Sequence, residues 1–148
     1  MEKRVGGAGA AKKPASTVKV ATKPKPFDGF KGASIDTSGT FKYIQIHVGS
    51  KKDPSSEKQI LIRGFKAFKY HKGIYQNWVQ KELEAFHQQD NFEHTCPGGG
   101  RIKVTPETKT IFIYGYSKTF GRVSHQVTQD ILQAAYPEYN ISWSDEGY

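Results

Sequence analysis

Two groups of residues in this chain have the type and spacing that chemistry needs. The first is the run Tyr114-Gly115-Tyr116-Ser117-Lys118-Thr119-Phe120-Gly121, which closes a strand and opens a loop ahead of a helix. Consecutive backbone N–H groups with a Ser and a Lys among them, running toward a helix start, suit the binding of an anion. The same run also reads as an ordinary strand-to-helix connection. The second is His71, in the first turn of a segment with helical periodicity. There the positive end of the helix dipole favours the neutral ring, the form a general base or a nitrogen nucleophile must have. Taken alone, a helix-start histidine that is partly buried or solvated is the plainer reading.

Other constellations exclude more than they suggest. Cys96-Pro97-Gly98-Gly99-Gly100-Arg101 invites a thiolate loop ending in Arg, but that chemistry needs five intervening residues and a following helix. Here four intervene and Ile102-Lys103-Val104 reads as strand, so Cys96 is rejected as a nucleophile. Arg101 and Arg63 can still supply positive potential to an anion. With no His-Glu-x-x-His, paired Cys-x-x-Cys or carboxylate cluster, no metal site is expected. His47, His87, His94 and His125 are scattered and read as surface or structural residues. There is no Gly-x-Ser-x-Gly elbow and no dinucleotide fingerprint.

These residues must be positioned by a small set of elements. Thr110 to Tyr116 reads as a central strand, apolar on both faces and therefore covered on each side. Gly115 and Gly121 bracket the loop after it, and Ser124 is placed to cap a helix carrying Val127, Ile131, Leu132 and Ala135. Phe41 to Val48 alternates, with Phe41, Tyr43, Gln45 and His47 opposite Lys42, Ile44, Ile46 and Val48. Lys42 thus shares a face with three aliphatics, and either snorkels to solvent, the preferred reading from the strand alone, or points into a polar site. Gln59 to Phe65 is a second strand. Tyr70 to Gln89 turns helical, with a stripe of Tyr75, Val79, Leu83 and Phe86 and Trp78 beside it. Phe92 to Val104 reads as a strand interrupted at Pro97-Gly98-Gly99-Gly100, a bend where backbone approaches something closely. Tyr139 to Ser144 gives a last strand. With a further strand before Lys42, the order implies an α/β or α+β sheet of about six strands flanked by two helices.

At 148 residues the chain fits one domain of ordinary size. Its formal charge of +8 is uneven: residues 1–26 hold seven bases against one acid, the remainder fifteen against thirteen. The leading segment is rich in Gly, Ala, Lys and Pro and reads as a disordered basic tail, residues 1–28, ahead of a domain at 29–148. Gly6-Gly7-Ala8-Gly9 lacks a preceding strand and a following Gly-Lys-Ser/Thr, so it is no nucleotide loop. Nucleic acid is at most a partner of this tail. The tail has no apolar core of a secretory signal and no run of residues can span a bilayer. A single cysteine, Cys96, allows no internal disulfide and suits a reducing compartment, so the cytoplasm is expected.

Taken together, these segments resemble the phosphohistidine phosphatase (Janus) family. The resemblance rests on Gly39-Thr40-Phe41-Lys42-Tyr43, Ile62-Arg63-Gly64-Phe65, Tyr70-His71-Lys72-Gly73-Ile74-Tyr75 and Gly98-Gly99-Gly100-Arg101-Ile102. It continues through Tyr114-Gly115-Tyr116-Ser117 and Tyr136-Pro137-Glu138-Tyr139 to Trp143 and Asp145-Glu146-Gly147-Tyr148. It runs in order from about Ser34 to the end. It implies a single mixed sheet with helices on its faces and a metal-free, cofactor-free removal of phosphate from phosphohistidine in proteins. His71 matches the family's catalytic histidine and Lys42 its strand lysine, which favours the polar-site reading of Lys42. Lys72, Ser117, Lys118 and Thr119 match positions whose backbone N–H groups hold phosphate, and Arg63 and Arg101 match arginines near the site. Lys118 and Thr119 stand where smaller or apolar residues are common, Lys72-Gly73 follows the histidine, and the long basic tail is extra. These departures bear on substrate preference. A monomer is expected. Two rivals remain: a non-catalytic phosphoprotein-binding module on the same scaffold, which does not need His71, and a nucleic-acid binder acting through the tail.

Overall fold

The alternation of Phe41 to Val48 explains the architecture. The structure is a computed structural model that describes residues 30–53, 55, 57–85 and 91–146. The strands are β1 (Ala33–Ile35), β2 (Gly39–Ser50), β3 (Gln59–Gly64), β4 (Phe92–Thr105), β5 (Thr110–Tyr114) and β6 (Asn140–Trp143). The helices are α1 (His71–Trp78), which continues into a π-helical turn at Val79–Leu83, and α2 (His125–Ala135). On β2, Ile44, Ile46 and Val48 enter a core beneath α1, whereas Phe41 and Tyr43 enter a second core beneath α2. An apolar set on both faces needs a cover on both faces, and the two helices provide it.

One mixed sheet runs β1-β3-β2-β4-β5-β6. The two outer pairs, β1 with β3 and β5 with β6, are parallel, and the inner pairs are antiparallel. The connection from β5 through α2 to β6 is the crossover that a parallel pair requires. Ser124 caps α2 as expected, its side chain accepting from the Val127 N–H. No helix among the described residues is long and apolar enough to cross a membrane. The basic tail, Phe86, His87, Gly147 and Tyr148 lie outside the described residues.

Three sequence expectations are corrected. β5 ends at Tyr114, and it is covered on one face only: Ile111 and Ile113 are buried while Phe112 is 38% exposed. Apolar residues on both faces therefore did not mean two covered faces here, because α1 reaches only the β2–β3 side of its sheet face. Second, β4 is not interrupted. Gln45 pairs with Gly98 and His47 with Thr95, so two residues of β4, Cys96 and Pro97, face one of β2. A bulge absorbs the proline without breaking the strand. Third, of the expected stripe Leu83 is fully buried, together with Ile74 and the adjoining Trp78, while Tyr75 and Val79 are only partly buried against the same core. The step of five from Trp78 to Leu83 follows from the π turn, where the Glu84 N–H reaches back five residues to the Val79 carbonyl. A uniform period of 3.6 cannot foresee that extra residue.

Candidate active site

His71 is the first residue of α1, and local sequence leaves that helix start bare. The N-cap, Tyr70, is extended and makes no side-chain cap, and no acid stands in the first turn. The ring is buried, and its Nε2 lies 2.9 Å from the Gly100 carbonyl oxygen. A carbonyl can only accept, so Nε2 carries the proton and Nδ1 keeps the lone pair. Burial pushes the His71 pKa below its ordinary 6.5; the Gly100 carbonyl draws it back up, and the charges of Lys42 and Arg101 press it down again. The neutral ring is the stable form at neutral pH.

The glycine run around Gly100 lets β4 lie against its neighbours without side chains between. A Cβ at Gly98 would strike the Gly121 carbonyl, and one at Gly100 would strike the Tyr114 carbonyl and the His125 ring. The backbone approach expected at this bend is real, and the partner is the protein's own sheet and loop.

Lys42 and Arg101 stand directly opposite one another on β2 and β4. The Lys42 ammonium donates to the Lys69 carbonyl at 2.8 Å, two residues before His71, and lies 5.4 Å from the centre of the Tyr70 ring. Lys42 is thus tied to the chain entering α1. Beside this pair is a cavity of about 210 Å³ lined by Thr40, Lys42, Lys66, Phe68, Lys69 and Arg101, with Phe41. His71 forms no part of its wall.

The loop from Ser117 to Gly121 closes on itself. Gly115 and Gly121 take positive φ, as its bracketing glycines must. The Ser117 N–H donates to the Gly121 carbonyl (3.1 Å), the Gly121 N–H to the Ser117 carbonyl (2.8 Å), and the Phe120 N–H to Ser117 Oγ (3.0 Å). The loop is docked on β4 through the Gly99 N–H to the Gly121 carbonyl (3.2 Å) and on α1 through the rings of Phe120 and Tyr75 (5.8 Å between centres). So the loop lies against the His71 helix, with exposed Lys118 and Thr119 at its tip. Ser117 itself is buried, and its N–H is engaged within the loop rather than facing an anion. Lys72 follows His71 on α1 and is exposed.

Arg63 is elsewhere. It is buried, held by two 2.8 Å hydrogen bonds to the Glu82 carboxylate, and it also donates to the Ile62 carbonyl. Glu82 lies in the π turn, at the far end of the helical segment from His71. The guanidinium is thus committed to holding that turn on the sheet, a correction to the expectation that it serves the site. Sequence reasoning also passed over Lys66, Lys69 and Tyr70. Their signal was present: Lys66, Lys69 and Lys72 fall within seven residues that include His71.

Known proteins supply the frame for this arrangement. Residues 27–140 match the model of the Janus/Ocnus family (Ocnus). The chain is 37% identical over 117 residues to the 14 kDa phosphohistidine phosphatase of Sus scrofa, covering 77% of this chain and 89% of that one. Against the Homo sapiens protein of the same name identity is 35% over 117 residues, covering 77% and 90%. The sex-regulated protein janus-A of Drosophila melanogaster is 41% identical over 114 residues, covering 77% and 78%. On the family match and these relatives, the chain belongs to the Janus/Ocnus family.

Proposed function

We propose that this protein is a protein phosphohistidine phosphatase that hydrolyses the P–N bond of phosphohistidine without a metal. The observation that carries the reading is the His71 ring: Nε2–H anchored on Gly100, the lone pair left on Nδ1, and two cations close enough to press its pKa down. The relatives named phosphohistidine phosphatase support it. In this reading Lys42 and Arg101, the first amides of α1 at Lys72, and the tip of the loop at Lys118 and Thr119 stabilise the phosphoryl oxygens. Pre-aimed charge and main-chain donors of this kind are commonly the largest single contribution to such catalysis.

Two courses fit the geometry. In one, Nδ1 takes a proton from water as that water's oxygen bonds to phosphorus, and the P–N bond breaks with its electron pair returning to the substrate ring, which is protonated as it leaves. In the other, Nδ1 itself bonds to phosphorus, the substrate ring departs protonated, and water then cleaves the new P–N bond on His71. The test is phosphate release from a phosphohistidine peptide, with EDTA present, by the native chain and by His71→Ala. Loss of the general base alone is expected to cost about 10²–10⁴-fold; equal rates would overturn the reading. A rapid quench with labelled substrate decides between the courses, since only the second leaves label on the protein.

A second reading has one observation in its favour: the relatives of highest identity above carry a name, sex-regulated protein janus-A, that specifies no reaction. A phosphoprotein-binding module on this scaffold would bind phosphopeptide tightly, release no phosphate and be indifferent to His71→Ala.

A further inference from the structure

One aromatic junction joins α1, β4 and the loop after β5. Tyr75 stands four residues after His71 on α1, one turn along the same side of the helix. It is half-buried, and its ring stacks on fully buried Trp78, with centres 6.3 Å apart and planes at 15°. Its hydroxyl lies 2.6 Å from His94 Nδ1 on β4, and those two rings meet edge to face at 5.7 Å. Phe120 of the loop packs on the Tyr75 ring edge to face as well, at 5.8 Å and 87°. The hydrogen bonds of Ser117, Phe120 and Gly121 run within the loop and to Gly99, whereas the Phe120 ring reaches the helix of His71. β4 is the common base: His71 bonds the Gly100 carbonyl, the loop bonds the Gly99 N–H, and Tyr75 bonds the His94 ring. The bulge at Cys96 and Pro97 lies between His94 and Gly99.

We propose that Tyr75, steadied by His94, and Phe120 are positioning residues: together they set the separation between His71 and the loop tip at Lys118 and Thr119. The proposal rests on the phosphatase reading and deepens it by assigning residues that act through others. Donors aimed at a developing oxyanion count only where that oxyanion forms, and a displacement of about 1 Å can cost about 10²-fold in rate. The bond from Gly99 holds the loop at its Gly121 end and leaves the tip a lever. The Phe120 ring, next to that tip, removes the freedom. An edge-to-face pair suits the task because its geometry is directional and it brings no further charge to the site. The hydroxyl bond to His94 ties the far end of the Tyr75 ring to β4, so that the ring does not swing with the loop. A pair that merely covered apolar surface would cost stability when cut and would not couple the two residues in the rate.

The experiment is a double-mutant cycle in the full chain: Tyr75→Leu, Phe120→Leu and both together, with thermal midpoints recorded and rates taken per folded molecule. The substrates are a phosphohistidine peptide and phosphoramidate. Each single change is expected to lower kcat about 10²-fold on both substrates, with KM moved by no more than about threefold. The double variant should be no slower than the slower single, since both cut one contact. Phe120→Tyr keeps the ring edge and should hold a native kcat. Tyr75→Phe keeps the ring and loses only the tie to His94; it should lose about fivefold in kcat, and it decides the matter where a leucine variant does not fold. Multiplied losses in the double variant, losses confined to KM or to the peptide, or lowered midpoints with unchanged kcat overturn the proposal. Inorganic phosphate, followed by amide shifts at Lys72, Lys118 and Thr119, separates it from the phosphatase reading. Suppose the native chain turns nothing over, yet phosphate shifts those amides and binds about tenfold more weakly in either single variant and no more weakly in the double. The positioning then stands and the phosphatase reading falls. A native chain that neither turns over substrate nor shifts those amides overturns both.

Discussion

His71 and His125 are built alike and end differently. Each is the first residue of a helix, each is buried, and each places Nε2 at 2.9 Å from a glycine carbonyl, Gly100 for the one and Gly115 for the other. They sit on opposite faces of the same glycine strand, close enough that a Cβ on Gly100 would meet the His125 ring. Burial pushes both below the ordinary 6.5. The second nitrogen separates them. Nδ1 of His125 accepts from the Tyr43 hydroxyl at 2.7 Å. That hydroxyl lies 2.9 Å from Thr128 Oγ1, to which the Gln45 amide donates at 2.9 Å, and His47 closes the row on Gln45 Oε1 at 3.1 Å. Every member has a partner, which is the condition under which a buried polar chain stabilises a fold. Nδ1 of His71 has no hydrogen-bond partner among the described residues, and cations rather than a hydroxyl stand near the ring. A helix-start histidine becomes structural or reactive according to whether its second nitrogen is already occupied.

The largest effect should come from the histidines themselves. His71→Ala is expected to remove turnover while the thermal midpoint holds. His125→Ala should leave the rate per folded molecule within a few fold and cost about 1–3 kcal/mol of stability, because Tyr43 loses its acceptor in the core. Equal loss of turnover in both, with folding intact, would break the comparison. Lys42→Met should follow, with a fall in kcat of about 10²-fold if its ammonium meets developing charge; a change confined to KM would make it a docking residue only.

Glu82→Ala tests the placement of Arg63 away from the site. An abandoned buried guanidinium should cost about 3–5 kcal/mol in a denaturant titration, and the rate of the molecules that remain folded should not change. If instead turnover falls with stability untouched, Arg63 belongs to the reacting centre after all.

Smaller is the effect of pH. The folded pKa values of His47, His71, His94 and His125 all lie below 6.5, burial being the first cause in each. The unfolded chain then binds protons at these sites before the folded one does, so stability rises with pH through this window. The contribution is fully present above pH 6.5 and is lost progressively as pH falls toward the folded values. Denaturation midpoints from pH 8 to 5 should be level and then decline; a midpoint that rises on acidification would contradict the burial of these rings. Cys96→Ser should do least. Burial pushes its thiol up to about 12, so no thiolate is at hand near neutrality, and turnover should be unchanged.

How much of this was legible in the chain varies by element. The alternation of residues 41–48, the Ser124 cap and the glycines around Ser117 are local signals, and each stands as read. The resemblance located His71, Lys42 and Arg101 together before any coordinates did. The π turn after Trp78 was invisible because it depends on the sheet surface beneath, where Arg63 draws in Glu82. The exposure of Phe112 was invisible for a related reason: sequence shows that Phe112 and Tyr114 are apolar, and only the reach of α1 shows that Phe112 is left 38% exposed.

By itself the sequence determined the order of elements, the alternating faces of Phe41–Val48, and which residue types carry protons and charge, because periodicity, capping and turn chemistry are read from neighbours a few residues apart. Tertiary structure alone decided which nitrogen of each histidine is occupied, which arginine is committed to an ion pair, and where the sheet is left open. Those outcomes depend on contacts between residues up to 85 positions apart, as between Tyr43 and Thr128, and no local pattern encodes whether such partners meet.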